Sequence, residues 1–87
     1  MNQAYLKLRL VNKGDKIYHR AYQSFLKRLI SARKEAGLLQ AEVSARMGKA
    51  HSFVSKCELG ERRVDVVELQ KLAKIYGKSL LYFLGEE

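Results

Sequence analysis

No proline occurs in the 87 residues, and from Tyr18 onward apolar side chains recur every three or four positions, with breaks at Gly37, Gly48, Gly60 and Gly77. A period near 3.6 punctuated by glycine is the pattern of helices that end in left-handed caps. The spacing predicts five helical segments. The first, from about Tyr18 to Ala36, carries Tyr22, Phe25, Leu26, Leu29 and Ile30 as one stripe. The second runs from about Gln40 to Met47, and the third lies within GKAHSFVSKCELGERR, residues 48–63. The fourth starts at Asp65, an N-cap with Glu68 placed for a capping box and Val64 and Leu69 for a hydrophobic staple, and it ends at Gly77. Ser79 caps a short fifth helix, Leu80 to Leu84. The expected fold class is therefore all-α, a five-helix bundle with short loops.

Two consequences follow from where the polar residues fall. Only Met47 to Ala50 separates the second helix from the third, so the two must cross steeply; Gly48 supplies a left-handed turn, and the small Ser44 and Ala45 permit close approach. On the third helix Phe53, Val54 and Cys57 share one side with Ala50, while Ser52, Ser55 and Lys56 point the other way and His51 flanks the N-terminus. Phe53 sits at the edge of the apolar cluster, open either to the core or to a partner on the outer face. Arg33 falls on the stripe of the first helix, where an unpaired charge is costly, and needs an acidic partner.

Charge sharpens the functional reading. The chain carries 17 lysines and arginines against 9 acids, a formal +8, which favours polyanions. Residues 1–38 hold nine basic groups against two acids, residues 39–64 five against three, and residues 65–87 three against four. The basic face is thus expected away from the C-terminal end. No run of apolar residues is long enough to cross a bilayer, no secretory leader is recognisable, and one cysteine with two histidines forms neither a disulfide nor a metal-ligand cluster. A cytoplasmic protein without cofactor, metal or membrane association is expected. Catalysis is not: His51 and Cys57 lie six residues apart on different sides of one helix, and no glycine-rich phosphate loop or paired-carboxylate site occurs.

The segment ARKEAGLLQAEVSARMGKAHSFVSKCELGERR, followed by VVELQKLAKIYG, resembles the helix-turn-helix domain of the phage Cro and repressor class, also called the xenobiotic-response-element-like family, across about residues 22–84. The resemblance implies a lambda-repressor-like bundle whose third helix enters the major groove of double-stranded DNA. It then implies base contacts by His51, Ser52, Ser55 and Lys56, and phosphate contacts by Gln40, Arg62 and Arg63. It further implies an ion pair of Arg33 with Glu58 that fixes the angle of the reading helix. The chain departs from the family pattern at Leu39 and Ala50, where Ser or Thr commonly caps a helix, at Lys49, a frequent apolar position, and at Leu59, where a frequent Asn approaches phosphate.

A domain of residues 18–87 is expected, preceded by an extension, residues 1–17. There Leu6, Leu8 and Leu10 alternate with Lys7 and Arg9 at a strand period, and NKGD suits a hairpin turn; a basic arm reaching DNA is the alternative. At the other end LLYFL is too apolar for one small helix to bury, so Leu81, Tyr82 and Phe83, with Tyr76, are expected to form a homodimer interface. Together these features indicate a sequence-specific DNA-binding transcriptional regulator, a repressor that occupies a pseudo-palindromic operator on the nucleoid. No small-molecule ligand is expected. The alternatives are an antitoxin-type autoregulator, or a protein-interaction module that kept the fold without binding DNA.

Overall fold

The computed structural model describes the backbone of residues 13–85 and the side chains of residues 18–85. Five helices follow one another: α1 Lys13–Glu35, α2 Gln40–Arg46, α3 Phe53–Glu58, α4 Val66–Tyr76 and α5 Leu80–Leu84. Among the described residues there is no strand. Helix α1 begins five residues before the expected Tyr18, so Lys13, Gly14 and Asp15 of NKGD are helical and form no hairpin turn. One glycine in a helix costs only about 1 kcal/mol, which continuation of a long amphipathic helix offsets. The leucine alternation at residues 6–10 lies outside the described residues. Helix α3 is shorter than its sequence suggests, because His51 and Ser52 form the turn that leads into it.

All five helices contribute to one core. Leu26, Leu29 and Ala32 come from α1, Val43 from α2 with Met47 just beyond it, Phe53, Val54 and Cys57 from α3, Leu72, Ala73 and Tyr76 from α4, and Phe83 from α5. The stripe on α1 therefore faces inward as its period requires, although Ile30 is only half-buried. Tyr76 and Phe83, expected at a dimer interface, lie inside the monomer with 6% and 1% of their surfaces exposed. Both correct the sequence reading: Tyr76 ends α4 on the side of that helix that carries Leu72 and Ala73 into the core. On a five-residue helix a run of apolar residues cannot all face outward, and Phe83 is the one that turns in, edge-on to Phe25 with ring centroids 6.5 Å apart.

The caps show how such short helices are held. Asp65 and Glu68 form the full capping box: the Glu68 N–H donates to Asp65 Oδ1 at 2.7 Å, and the Asp65 N–H donates to Glu68 Oε1 at 3.0 Å. Val64 and Leu69 line one hollow together, as a staple would place them. Ser79 accepts from the Tyr82 N–H at 3.3 Å. Leu39 offers no side-chain oxygen at the start of α2, but Glu42 reaches back to the Leu39 N–H at 2.8 Å and supplies half a capping box.

Helix α3 is capped from outside. The Val54 N–H, in its first turn, donates to the hydroxyl of Ser44 on α2 at 3.1 Å, and Ser44 is wholly buried. Close approach of the two helices thus does double duty, since the small side chain that permits it also satisfies a backbone donor on the neighbour. Gly48 makes this geometry available: with φ at 68°, it closes α2 through the Gly48 N–H to Ala45 O and the Lys49 N–H to Ser44 O, both 3.0 Å. Gly60 closes α3 in the same manner, and a Cβ there would stand 3.2 Å from Leu26 Cδ1.

Replacing Ser44 by alanine leaves the Val54 N–H buried without an acceptor. Ser44→Ala is expected to lower the unfolding free energy by about 1–3 kcal/mol, read as a lower urea midpoint at unchanged slope.

Candidate nucleic-acid interface

The outward face of α3 and the turn before it bring together the four residues expected to read bases. His51 and Lys56 are exposed, Ser52 and Ser55 half-buried, while Phe53, Val54 and Cys57 point into the core. The Ser55 hydroxyl donates to the Ser52 carbonyl at 3.0 Å, which leaves its oxygen lone pairs to accept. Phe53, 5% exposed, belongs to the core; its ring is roofed by Lys49 Nζ at 5.5 Å and Arg62 Cζ at 4.8 Å. The face is accordingly polar, cationic and free of acid, because Glu58, the single carboxylate of α3, is buried.

Glu58 is the centre of a brace. Arg33 donates to it twice, Nε to Oε2 at 2.6 Å and Nη2 to Oε1 at 3.1 Å, and spends Nη1 on the Leu38 carbonyl at 3.0 Å. The hydrogen bond with Glu58 raises the Arg33 pKa above its ordinary value, against the opposing effect of burial. Gln40 completes the site: its amide Nε2 donates to Glu58 Oε1 at 2.8 Å. The side chain expected on a phosphate is therefore committed to the brace in this structure. The ion pair was legible from the stripe and the resemblance; the Gln40 bond was not, since 18 residues separate its partners and spacing carries no trace of it.

A second acid organises the loop after α3. Glu68, buried on α4, receives Arg62 at both oxygens, each 2.8 Å, and Lys49 Nζ at 3.4 Å. Its pKa falls from 4.5 to about 2, first through the Arg62 hydrogen bond and then through the Asp65 N–H and Lys49, while desolvation works the other way. Arg62 also donates from Nη1 to the Arg63 carbonyl at 2.8 Å. Of the two loop arginines expected on phosphates, Arg62 thus serves as an internal tie. Arg63 is placed differently: its Cζ lies 4.7 Å from the ring centroid of Tyr18 and 5.1 Å from that of Tyr22.

At the C-terminal end Leu81 is 50% exposed, with Leu80 and Leu84 exposed beside it. Tyr82 is half-buried, edge-on to Phe83 with centroids 5.1 Å apart, with Lys78 Nζ 4.6 Å and Arg28 Cζ 6.0 Å from its own ring centroid. The Tyr76 hydroxyl is buried with no hydrogen-bond partner among the described residues, and burial pushes its pKa up. Among the described residues no helix is long and apolar enough to cross a membrane.

Residues 29–83 match the helix-turn-helix family. A solved structure, an XRE-family like protein from Pseudomonas syringae pv. tomato str. DC3000, superposes with a TM-score of 0.79 at 39% identity, over 86% of this chain and 92% of that one. The HTH-type transcriptional regulator PuuR of Escherichia coli is 38% identical over 60 residues, 69% of this chain but 32% of PuuR, so the match spans about a third of that regulator's length. An uncharacterized HTH-type transcriptional regulator of Sinorhizobium fredii, y4dJ, is 43% identical over 47 residues, 54% of this chain and 61% of that protein.

The Glu68 network makes a pH prediction. A carboxylate held near pKa 2 rather than 4.5 contributes stability that is fully present above about pH 4.5 and is lost as pH falls toward 2. Glu68→Gln is expected to cost about 2–3 kcal/mol at neutral pH. Thermal melts of the variant should fall less steeply than those of the parent between these limits.

Proposed function

Because this chain belongs to the Cro/C1-type helix-turn-helix family, we propose that it is a sequence-specific DNA-binding transcriptional regulator, a repressor that acts by occupying its operator. The observation that carries the reading is the outward face of α3. His51 and Ser52 in the turn before the helix, and Ser55 and Lys56 on it, present donors and acceptors with no acid among them, and the helix is tied at its end by Arg33, Glu58 and Gln40. Lys56 suits guanine O6 or N7, the serines suit either kind of base edge, and Arg63 suits a phosphate. A protein-interaction surface has no need of such an acid-free face, and the named relatives are transcriptional regulators.

The reading is of a binding protein rather than an enzyme. Cys57 is buried, and burial first of all raises its thiol pKa, so it stays protonated and shielded on the side of α3 away from His51. No cofactor or small-molecule ligand is assigned, and the place of action is the nucleoid in the cytoplasm.

Operator binding by a single helix-turn-helix covers few base pairs, so a homodimer on a pseudo-palindromic site completes the proposal. Leu81 and Tyr82, joined by the exposed Leu80 and Leu84, form its interface on α5. Leu81→Glu should shift sedimentation at tens of micromolar from dimer to monomer and weaken operator binding; a parent protein that is monomeric both free and on its operator refutes the dimer.

Reading and holding are separable by two alanine variants that each lose one positive charge. Lys56→Ala should cost about 1–3 kcal/mol on an operator selected from random DNA, much less on unrelated duplex, and relax the choice of base at one position per half-site. Arg63→Ala should weaken both by similar factors and flatten the dependence of log affinity on log salt by about one unit per lost phosphate contact. Parent-like binding by both variants would mean that α3 presents only a solvated surface.

A further inference from the structure

Arg62 and Arg63 are adjacent and equally charged, yet their surroundings assign them opposite tasks. Arg62 spends its terminal nitrogens on Glu68 and on the Arg63 carbonyl. Among the described residues no oxygen accepts from the Arg63 side chain; what holds it is aromatic. Tyr18 and Tyr22, one turn apart on α1, stack on each other at 5.9 Å and 22°, and the Arg63 guanidinium lies over both rings. Tyr22 also fixes the loop backbone, since its hydroxyl accepts from the Val64 N–H at 3.2 Å.

A guanidinium held against aromatic rings commits no N–H to an acceptor, so its fork of donors stays available, and the fork is the part that matches a phosphate. A free arginine loses rotamer freedom when it binds, whereas a stacked one has already lost much of it. From this geometry we infer that Tyr18 and Tyr22 are positioning residues for Arg63, and that this part of α1, outside the matched helix-turn-helix region of residues 29–83, is a working part of the DNA-binding surface. The inference rests on the proposed function, and it adds to it the reason that one loop arginine is poised for a phosphate of the DNA backbone while its neighbour is not.

Tyr18 is the residue to test, because it is 48% exposed and its loss opens no cavity in the core. The probe is a short random-sequence DNA duplex, with affinity measured at low and at moderate salt. Tyr18→Ala should weaken binding about three- to tenfold, as expected for loss of a cation–π contact and of pre-ordering. Tyr18→Phe should restore parent affinity. In an Arg63→Ala background Tyr18→Ala should change nothing, because there is no guanidinium left to position. Equal losses from Tyr18→Ala with and without Arg63 would overturn the inference, as would parent-like affinity of Tyr18→Ala alongside weakened binding by Arg63→Ala; in both cases the DNA-binding reading stands. A parent protein with no salt-dependent affinity for the duplex overturns both.

Discussion

The orientation of α3 depends on the contact of Arg33 with Glu58. A six-residue helix has fewer than two turns and no stability of its own, so its existence and its angle come from what it touches. Its apolar side rests on the core through Val54 and Cys57, its first turn is tied to Ser44 on α2, and its last turn is tied through Glu58 to α1 and to Gln40 at the start of α2. Burying a carboxylate and a guanidinium costs several kcal/mol each, and only full hydrogen bonding offsets it. Here the bidentate contact, the Leu38 carbonyl and the Gln40 amide provide that bonding. The pair joins the end of α3 to α1 and to the start of α2 at one point.

The same chemistry alters what the net charge means. Of the basic residues around α3, Arg33 and Arg62 are consumed internally by Glu58 and Glu68, the two carboxylates that are themselves buried. Lys49 is shared between Glu68 and the Phe53 ring. Lys56 and Arg63 remain exposed with no acidic partner among the described residues, and the Arg63 guanidinium lies against two rings. Lys49, which departs from the family pattern by replacing a frequent apolar residue, places its ammonium over the Phe53 ring while reaching an acid.

Much of this architecture is written in local sequence, for reasons of range. Asp65 with Glu68, Ser79, and the glycines at 48, 60 and 77 act on backbone groups within a few positions, so helix ends can be read from them directly. The apolar period determined which side of α1 and α3 faces inward, and the stripe identified Arg33 as a charge in want of a partner. Even there, local reading set the start of α1 too late, because one glycine does not stop a helix that gains by continuing.

Tertiary structure alone decided the rest, because it concerns partners brought together from afar. Nothing near Ala50 in sequence indicates that Ser44 caps α3, nothing near Gln40 that its amide serves Glu58, and nothing in a pair of adjacent arginines that one meets a carboxylate on α4 and the other two tyrosines on α1. Phe83 reads as surface because LLYFL is apolar throughout, and Tyr76 because it stands beside that run in sequence; only packing of α4 and α5 against the bundle decided which of these side chains were enclosed. Sequence determined the elements, their caps and the polarity of their faces, since those follow from bonds and periods a few residues long; the fold assigned each polar group its partner, since that depends on distances no local pattern records.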